Sequence, residues 1–579
     1  DGGIAGHLDQ TDLDRIARDG YRPVTMEQGP AMLDSALELA LPTPVATPLD
    51  LPAIRALNGP VAPLLRTLAR TTSRPSALDG AGTAGPAGDR IRDLPADEQL
   101  PFLNDLVKAE VAAVLGHADA AGIDADRGFL DLGFDSLTAV DLRNRLGAAT
   151  GIRLSASLVY DHPTPAGLAA HLLAELTDSG AGSTAQAVDF PAEVRLADDI
   201  VPAAEVITTA QGPKEVFLTG ATGFLGAFVL RELLRTTSAR VHCLVRAADA
   251  AEGLERLRET SRWYGVWDEA RAHRVIVHPG DLAEPRLGLP EADFDELART
   301  VDVIFHGGAL VNWLHTYTTL KAANVGGTEE VLRMAARHRT VPVHFVSSTG
   351  VFDKPLTEGV PLKVTDPLAS TDVMNGYRQT KWVVEHIIGL ARERGLPVSI
   401  YRGDVVSGDR RSGACQTRDF VWLSLKGLIK AAAVPEGTDI VFRMVPVDYV
   451  SSAIVTLSRQ PDCASRTFHL SNPHEVRYTT ILEYLRAFGY EIEEVDRAAW
   501  LERVQGDSDN ALNPLLDMFE KIAENGEGAY PPIDVTETEQ ALAGTGVECP
   551  EMTRDLFATY IDFFVRAGYL PEAPALIRP

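Results

Sequence analysis

Cysteine is scarce in this chain, which has four among its 579 residues. Cys243, Cys415, Cys463 and Cys549 lie far apart and form no closely spaced pair of the kind that holds a metal ion. Disulfides are rare in reducing compartments, where cysteines remain thiols. We therefore predict reduced thiols, no metal site and a cytoplasmic protein.

Long apolar runs and an excess of positive charge are also lacking. No run of about 18 apolar residues is present, so the sequence predicts no membrane-spanning helix. Lysine and arginine number 54 against 81 aspartates and glutamates, which gives a net charge of −27. This balance argues against nucleic acid or an anionic membrane as a partner.

The length predicts about three or four domains, at about 100–200 residues each. Stretches rich in glycine, serine and proline at 73–96 and 178–211 cannot bury enough apolar surface and are predicted linkers. They separate a mixed segment at 1–72, a small helical domain at 97–177 and a long α/β pattern at 212–579. The chain opens at Asp1 without methionine, so we expect it to be part of a longer protein.

The stretch Glu215 to Gly226 has the pattern of a dinucleotide-binding turn. An apolar run predicts a buried strand, and apolar residues at helical spacing follow the last glycine. Gly220 allows a tight turn, Gly223 lets the backbone approach a pyrophosphate, and Gly226 lets the helix pack close to the strand. The helix N-terminus favours the phosphates. The predicted contacts of this turn are Gly220, Thr222, Gly223, Phe224, Leu225 and Gly226.

The ends of the next strands supply further candidates for cofactor binding. Arg246 follows the second strand, about twenty residues after the last glycine, where an arginine accommodates the 2′-phosphate of NADP. Arg256 is a second candidate for that phosphate. The third strand ends in a polar corner, and the fourth opens into small residues that a flat cofactor can pass. The candidates in and after these strands are Asp281, Leu282, Gly308, Ala309, Leu310 and Asn324.

Two Tyr-x-x-x-Lys pairs occur, Tyr317/Lys321 and Tyr377/Lys381. On a helix this spacing places both side chains on one face. Ligands of a doubly wound sheet lie beyond the carboxyl ends of its strands. Ser348 ends the fifth predicted strand and the second pair follows it, so Ser348, Tyr377 and Lys381 are the predicted catalytic residues. Thr349 is the alternative hydroxyl, and the first pair is interpreted as packing.

The segment 97–177 resembles acyl carrier proteins of the polyketide type. The resemblance rests on Gly133-Phe134-Asp135-Ser136-Leu137, Asn144-Arg145-Leu146 and Tyr160-Asp161-His162-Pro163-Thr164-Pro165. It implies that Ser136 carries a covalent 4′-phosphopantetheine, attached by a phosphopantetheinyl transferase. A serine at a helix N-terminus suits this role because the helix dipole favours the added phosphate.

The segment from about 190 to the end resembles terminal thioester reductases of polyketide and peptide synthetases and of carboxylic acid reductases. The motifs that carry it include the glycine turn, Gly280-Asp281-Leu282, His306-Gly307-Gly308-Ala309-Leu310-Val311-Asn312 and Tyr377-Arg378-Gln379-Thr380-Lys381. It departs from that pattern at Ser348, where relatives have Thr, and at Arg402-Gly403-Asp404, where an Arg-Pro-Gly turn is usual.

Residues 1–72 resemble the C-terminal end of a ketoreductase domain through Gly6-His7-Leu8-Asp9, Glu27-Gln28-Gly29 and Pro63-Leu64-Leu65-Arg66. Together the resemblances imply the end of a modular type I polyketide synthase, with upstream synthase domains as partners. The implied fold is α/β, a doubly wound parallel Rossmann sheet with a smaller helical substrate subdomain, preceded by an all-α helical-bundle carrier domain.

The implied reaction is NADPH-dependent reduction of an acyl thioester to an aldehyde, with further reduction to the alcohol left open. Tyr377 would donate a proton, and the charge of Lys381 would lower the pKa of Tyr377 from about 10. Ser348 would donate a second hydrogen bond to the substrate oxygen. Two alternatives remain open: an epimerase or dehydratase of the same extended short-chain dehydrogenase class, and a carrier and docking module without catalysis.

Overall fold

The computed structural model describes residues 188–573 except 313–314, 353–358, 370, 372–374, 418, 439, 508–509, 517–518 and 520–530. Before them it describes 94–115, 158–162, 164–177 and shorter stretches between 91 and 154. The predicted ketoreductase remnant, the predicted first linker up to residue 90, and Ser136 lie outside the described residues.

The carrier region is helical, as predicted. Its longer described helices are α1 (Ala96–Leu115) and α3 (Pro165–Thr177), and the short helix α2 spans Leu158–Asp161. Leu103, Val107 and Val111 of α1 recur at a spacing of four residues and are fully buried, because this spacing keeps them on one face of the helix. They share a separate apolar core with residues of α3.

The second domain contains a seven-stranded sheet in which every neighbouring pair is parallel. In chain order its strands are β1 (Glu215–Thr219), β2 (Arg240–Val245), β3 (Val275–Pro279), β4 (Val303–His306), β5 (Val343–Ser348), β6 (Val398–Gly403) and β11 (Thr467–Leu470). Their spatial order is β11-β6-β5-β4-β1-β2-β3. From β1 the chain adds β2 and β3 on one side of the sheet and then β4 on the other side. This topological switch point between β1 and β4 is where a doubly wound fold binds its ligand.

Helices cover both faces of this sheet, which explains why its central strands are apolar on both sides. One face packs on α5 (Phe224–Thr236) and α12 (Val447–Ser458). The other packs on α7 (Glu291–Thr300), α9 (Gly327–Ala336) and α10 (Gly376–Glu393). The remaining elements before β6 are α4 (Phe190–Glu193), α6 (Ala250–Trp263) and α8 (Tyr317–Lys321), and a π-helical turn spans Ala322–Gly326.

The part beyond Asp404 forms a second apolar core, in which Trp422, Trp500 and Tyr560 are almost fully buried. Its helices are α11 (Phe420–Ala431), α13 (Tyr478–Phe488), α14 (Arg497–Gln505) and α16 (Arg554–Arg566), and α15 (Thr536–Leu542) lies near the sheet edge. Three strand pairs join them: β7 (Val405–Ser407) with β10 (Met444–Pro446), β8 (Ala433–Pro435) with β13 (Glu493–Val495), and β9 (Val441–Phe442) with β12 (Val476–Arg477). The predicted return strand is β11, but the predicted lid omitted these pairs and the packing of α12 on the sheet.

The segment from Val188 to Ile207 packs on the reductase domain, although the sequence places 178–211 in a linker. Leu196 and Ile200 are buried in the core beneath α9 and α10. Arg394 donates hydrogen bonds to the carbonyls of Leu196, Ala197 and Ile200. Val188, Phe190 and Ile207 pack on the same core. These apolar residues are spread among polar ones, so the composition of the segment as a whole resembles that of a linker.

Candidate active site

The glycine turn between β1 and α5 has the close backbone contacts that the sequence predicts. Gly220 has φ +80°, and a Cβ on it would lie 2.7 Å from the backbone nitrogen of Gly308. A Cβ on Gly226 would lie 2.0 Å from the carbonyl oxygen of Gly220. Only glycine fits at these two positions without moving the backbone. The turn is therefore folded tightly on itself and leads directly into the N-terminus of α5, the place where doubly wound folds bind the pyrophosphate of a dinucleotide.

The other residues of this turn divide into two groups. Gly223 is exposed at the N-cap of α5 and Thr222 is half-buried beside it, where both face the crevice end of the sheet. Phe224 points into a cluster with Phe228 and Tyr264, at ring distances of 5.6 and 5.1 Å. Leu225 packs against the same cluster. We expect Phe224 and Leu225 to contribute backbone contacts, since their side chains support the helix.

Arg246 and Arg256 lie together at the carboxyl end of β2. Both are exposed, and the guanidinium of Arg256 donates a hydrogen bond to the backbone carbonyl of Arg246. Two cations therefore lie at the strand end where a ribose is bound in doubly wound folds. This placement fits a 2′-phosphate, and their role in binding it stays a prediction.

The ends of β3 and β4 form the floor next to the glycine turn. The Asp281 carboxylate accepts a hydrogen bond from its own loop, at the backbone nitrogen of Ala283. A Cβ on Gly308 would lie 2.7 Å from Leu282 Cδ1, so Gly308 leaves room for that side chain. Ala309 and Leu310 continue from Gly308 and are half-buried. The structure thus brings all these predicted positions to one edge of the sheet.

A buried hydrogen-bond chain behind this floor was not predicted. Gly308 N donates to Thr219 Oγ1 at 3.0 Å, and Thr219 Oγ1 lies 2.7 Å from His306 Nδ1. On the far side His306 Nε2 lies 3.0 Å from Thr328 Oγ1, which donates to Asn324 O. Because Thr328 gives its hydroxyl proton to Asn324 O, it accepts a hydrogen bond from His306 Nε2. The proton of the neutral imidazole therefore lies on Nε2. Burial lowers the pKa of His306 to about 3, so the ring is neutral and acts as a fixed spacer.

Asn324 lies in the π-helical turn and connects the β4 loop to α10. Its Oδ1 accepts from Leu310 N at 2.7 Å, and its Nδ2 donates to Leu310 O and Thr380 Oγ1, each at 3.1 Å. The side chain is therefore used to hold the loop in place. A direct contact between Asn324 and the cofactor stays a prediction, whereas its positioning role is visible.

Tyr377 and Lys381 lie on the first turns of α10, beside the end of β5. Lys381 Nζ donates to Val346 O of β5 at 2.7 Å and lies 5.8 Å from the centre of the Tyr377 ring. Arg378 donates to Gly350 O and Phe352 O, which ties the turn after Ser348 to the same helix. Ser348, at the end of β5, and this pair on α10 therefore lie at the same end of the sheet, and their catalytic roles stay predictions.

The protonation of the pair differs from the sequence expectation. Burial raises the pKa of Tyr377 to about 12, so the expected lowering by Lys381 is wrong for this structure. Burial also lowers the pKa of Lys381 to about 8, partly offset by the charge of Glu385. At neutral pH the tyrosine therefore carries its proton and the lysine its charge.

Ser348 and Thr349 differ in what their hydroxyls face. Ser348 is half-buried and its Oγ accepts from Gly350 N at 3.1 Å, so its own O–H can donate elsewhere. Thr349 is buried, and its hydroxyl points to Gly403 O at 3.5 Å. This geometry favours Ser348 as the residue that meets a substrate.

A second feature absent from the predictions is a buried ion pair behind α10. Glu385, one turn after Lys381, holds Arg402 of β6 through several hydrogen bonds, the shortest 2.7 Å, and accepts from Ser347 at 2.5 Å. Arg402 also donates to His469 and packs on the Phe352 ring at 4.8 Å. The unusual Arg402-Gly403-Asp404 sequence thus marks a buried network. The Lys-x-x-x-Glu spacing of Lys381 and Glu385 was the available signal.

The side chains of the first Tyr-x-x-x-Lys pair face away from this site, although the backbone of α8 packs on the start of α10 at Gly376. Tyr317 is buried, and its hydroxyl donates to Glu193 at 2.8 Å, while Lys321 forms an ion pair with the same carboxylate at 2.7 Å. Burial raises the pKa of Tyr317 above its ordinary value. The interpretation of this pair as structural agrees with its contacts.

These features define the class of the second domain: a dinucleotide-binding reductase of the extended short-chain dehydrogenase type. A family model described as "Male sterility protein", an NAD-binding family, matches residues 218–454. A model of the phosphopantetheine attachment site matches residues 105–172. Both cofactor-binding units that the sequence predicts are therefore present.

Similarity to individual proteins narrows the class of reductase to which this chain belongs. A linear gramicidin synthase protein from Brevibacillus parabrevis is 39% identical over 80% of this chain, which spans 9% of that protein. The terminal R domain of the myxalamid PKS-NRPS pathway is 40% identical with a TM-score of 0.62, over 67% of this chain and 99% of that one. An archaeal thiolation-reductase di-domain shares the fold, with 21% identity, a TM-score of 0.60, and coverage of 81% of this chain and 98% of its own.

The chain therefore belongs to the family of terminal reductase domains of non-ribosomal peptide and polyketide synthetases, joined here to a carrier domain. It is an NAD(P)H-dependent oxidoreductase by that membership. Among the described residues no helix is both long and apolar enough to span a membrane. No cluster of metal-ligating side chains was found among the described residues either.

Proposed function

We propose that this chain carries an acyl group on a phosphopantetheine arm at Ser136 and releases it by NADPH-dependent reduction of the thioester to an aldehyde. The observation that supports this most is the Tyr377/Lys381 helix, held by Lys381 Nζ against β5 beside the glycine turn. A carrier segment in the same chain makes a tethered thioester the natural substrate.

The residues of the site suit proton donation to a carbonyl oxygen. When bound, the nicotinamide supplies a hydride to the carbonyl carbon. Tyr377, whose pKa is about 12, keeps its O–H at neutral pH and gives that proton to the oxygen. Ser348 stabilises the same oxygen as negative charge develops, and charged Lys381 stabilises the tyrosinate that remains. The product of this step is a hemithioacetal. When its carbon–sulfur bond breaks, the hydroxyl loses its proton and the leaving sulfur takes one up, which yields an aldehyde and a free thiol.

The choice of NADPH rests on the two arginines at the end of β2. Arg246 and Arg256 are adjacent and exposed there, and no acidic residue occupies the position of Arg246. We expect kcat/KM to be higher with NADPH than with NADH, and Arg246→Ala to reduce that preference. Equal kcat/KM with both cofactors in the native chain would contradict the assignment.

The reaction itself is tested by NADPH absorbance in the presence of an acyl thioester. We expect a fall in absorbance together with an aldehyde or alcohol detected by mass spectrometry. An epimerase or dehydratase would cause no net consumption of NADPH, and a docking module would catalyse no reaction. Ser136→Ala should abolish loading of the carrier with substrate, whereas the reduction of a free thioester should stay intact.

We further propose that the chain comes from a polyketide synthase and that its acyl group is a polyketide. The support is the polyketide-type motif around Ser136 and the resemblance of residues 1–72 to a ketoreductase end. The comparisons include peptide synthetases and a mixed polyketide–peptide pathway, so an aminoacyl or peptidyl chain is the competing substrate. Mass spectrometry of the acyl group on the carrier decides between them.

A further inference from the structure

We propose that Glu193, clamped by Tyr317 and Lys321, is the anchor that sets the length of the tether between the carrier domain and the reductase site. This inference rests on the proposed function, because it assigns a role in delivering the tethered thioester. It gives the non-catalytic Tyr-x-x-x-Lys pair a function of its own.

The clamp is a compact contact of three different kinds. The Glu193 carboxylate accepts the hydroxyl of Tyr317 at 2.8 Å and pairs with Lys321 Nζ at 2.7 Å. The ring of Phe190 meets that of Tyr317 edge-on, with centroids 5.1 Å apart. The hydrogen bond with Lys321 lowers the pKa of Glu193, so the carboxylate is charged at neutral pH.

Further contacts continue the docking after Glu193. Ala197 N donates to Glu329 at 3.0 Å, and Arg333 holds Asp199 at 2.6 Å. Ala203 N donates to Thr340, and Val206 forms a bridge with the same residue. The clamp therefore lies near the start of a docked segment that runs from Val188 towards β1.

The position of this segment determines how far the carrier can move from the site. The last carrier helix ends at Thr177, and the docked segment begins 11 positions later in the sequence, at Val188. If docking began only at Lys214, this tether length would be 37 positions. For a flexible tether that is already long enough to span the two sites, effective concentration falls as about the −3/2 power of tether length. Docking therefore raises the concentration of the arm at the site about sixfold.

The decisive variant is Lys321→Glu, which places two carboxylates together and releases the start of the segment. Release as far as Leu196 lengthens the tether to about 19 residues, so we expect single-turnover aldehyde formation from the loaded carrier to slow about twofold. Release as far as Lys214 should slow the same reaction about sixfold. We expect kcat/KM for a free acyl N-acetylcysteamine thioester to stay unchanged. Adding Glu193→Lys restores the pair and should restore the tethered rate.

Hydrogen exchange of the peptide covering 188–200 gives a readout independent of activity. We expect faster exchange in Lys321→Glu and native exchange in the charge-swapped protein. Lys430→Glu is the matched control, because Lys430 pairs with Asp507 at 2.9 Å with similar exposure but lies in the substrate subdomain. It should change neither the tethered rate nor the exchange of this peptide.

Each other outcome overturns the tether role in a distinguishable way. An equal loss with tethered and free substrate would mean that the clamp positions the catalytic helix instead. An unchanged tethered rate despite faster exchange would mean that docking does not limit delivery. Absence of aldehyde from both substrates in the native chain would overturn the proposed function as well, while hydrogen exchange would still report whether the contact exists.

Discussion

The two Tyr-x-x-x-Lys helices of this protein have the same spacing and opposite surroundings. On α10, Lys381 is buried and donates to a strand carbonyl, and Tyr377 lies half-buried at the sheet edge. On α8, Tyr317 is buried and its hydroxyl is used by Glu193, and Lys321 is half-exposed in the same ion pair. We infer from this comparison that the motif acquires chemistry only where it adjoins a strand end and the glycine turn.

Removing each tyrosine hydroxyl is the strongest test of this difference. Tyr377→Phe should lower kcat for a free thioester by about 10²–10⁴, because a general acid is lost. Tyr317→Phe should change that rate less than about twofold. NADPH affinity, measured by fluorescence titration, should survive in both. A slower reaction in Tyr317→Phe than in Tyr377→Phe would reverse the assignment of the two helices.

The hydroxyl at the end of β5 extends the comparison to the partner of Tyr377. Ser348→Ala should lower kcat by about 10²–10³, since a donor to the developing oxyanion is removed. Thr349→Val should leave kcat nearly unchanged, because the Thr349 hydroxyl faces Gly403 O in the interior. Steady-state rates with a free thioester measure both. Similar losses in the two variants would show that Thr349 shares the role.

The dependence of kcat on pH distinguishes the role of Lys381 from that of Lys321. Burial lowers the pKa of Lys381 to about 8, so its charge is lost as pH rises through that value. We expect kcat to be maximal below about pH 8 and to fall about tenfold per unit well above it. Lys381→Arg should remove this limb, because arginine stays charged, whereas Lys321→Arg should keep it. A native profile flat to pH 10 would contradict a catalytic charge on Lys381.

The contact between the two helices is tested by a pair of glycines on α10. A Cβ on Gly376 would lie 2.5 Å from Tyr317 N, so Gly376→Ala must displace backbone and should cost about 1–3 kcal/mol of unfolding free energy. A Cβ on Gly389 would meet no atom of the surrounding structure within 4 Å, so Gly389→Ala should stabilise by about 0.5–1 kcal/mol. Thermal denaturation compares them. A stable Gly376→Ala protein would mean that α8 and α10 are not held this tightly.

The sequence predicted features that depend on local pattern and strand order. The glycine turn, the central strands and the placement of Ser348 beside Tyr377 follow from an apolar strand, a turn and a helix read in succession. The contact of Thr219 with His306 joins residues 87 positions apart in sequence, and the contact of Glu385 with Arg402 joins a helix to the next strand. The Lys-x-x-x-Glu spacing places Glu385 on the same face of α10 as Lys381, but no local pattern names the partner residue in either pair. The direction of the Tyr377 pKa also escaped prediction, because it depends on burial that only the folded packing defines.

The docking of Val188 to Ile207 also has a consequence for domain exchange between synthases. A hybrid protein cut after residue 211, the boundary that linker composition suggests, would leave Leu196 and Ile200 with the foreign carrier. The reductase would then expose the apolar surface that these two buried side chains cover, and such a patch favours aggregation. A junction between Thr177 and Val188 keeps this surface covered and is the place where carriers can be exchanged without damage to the reductase fold.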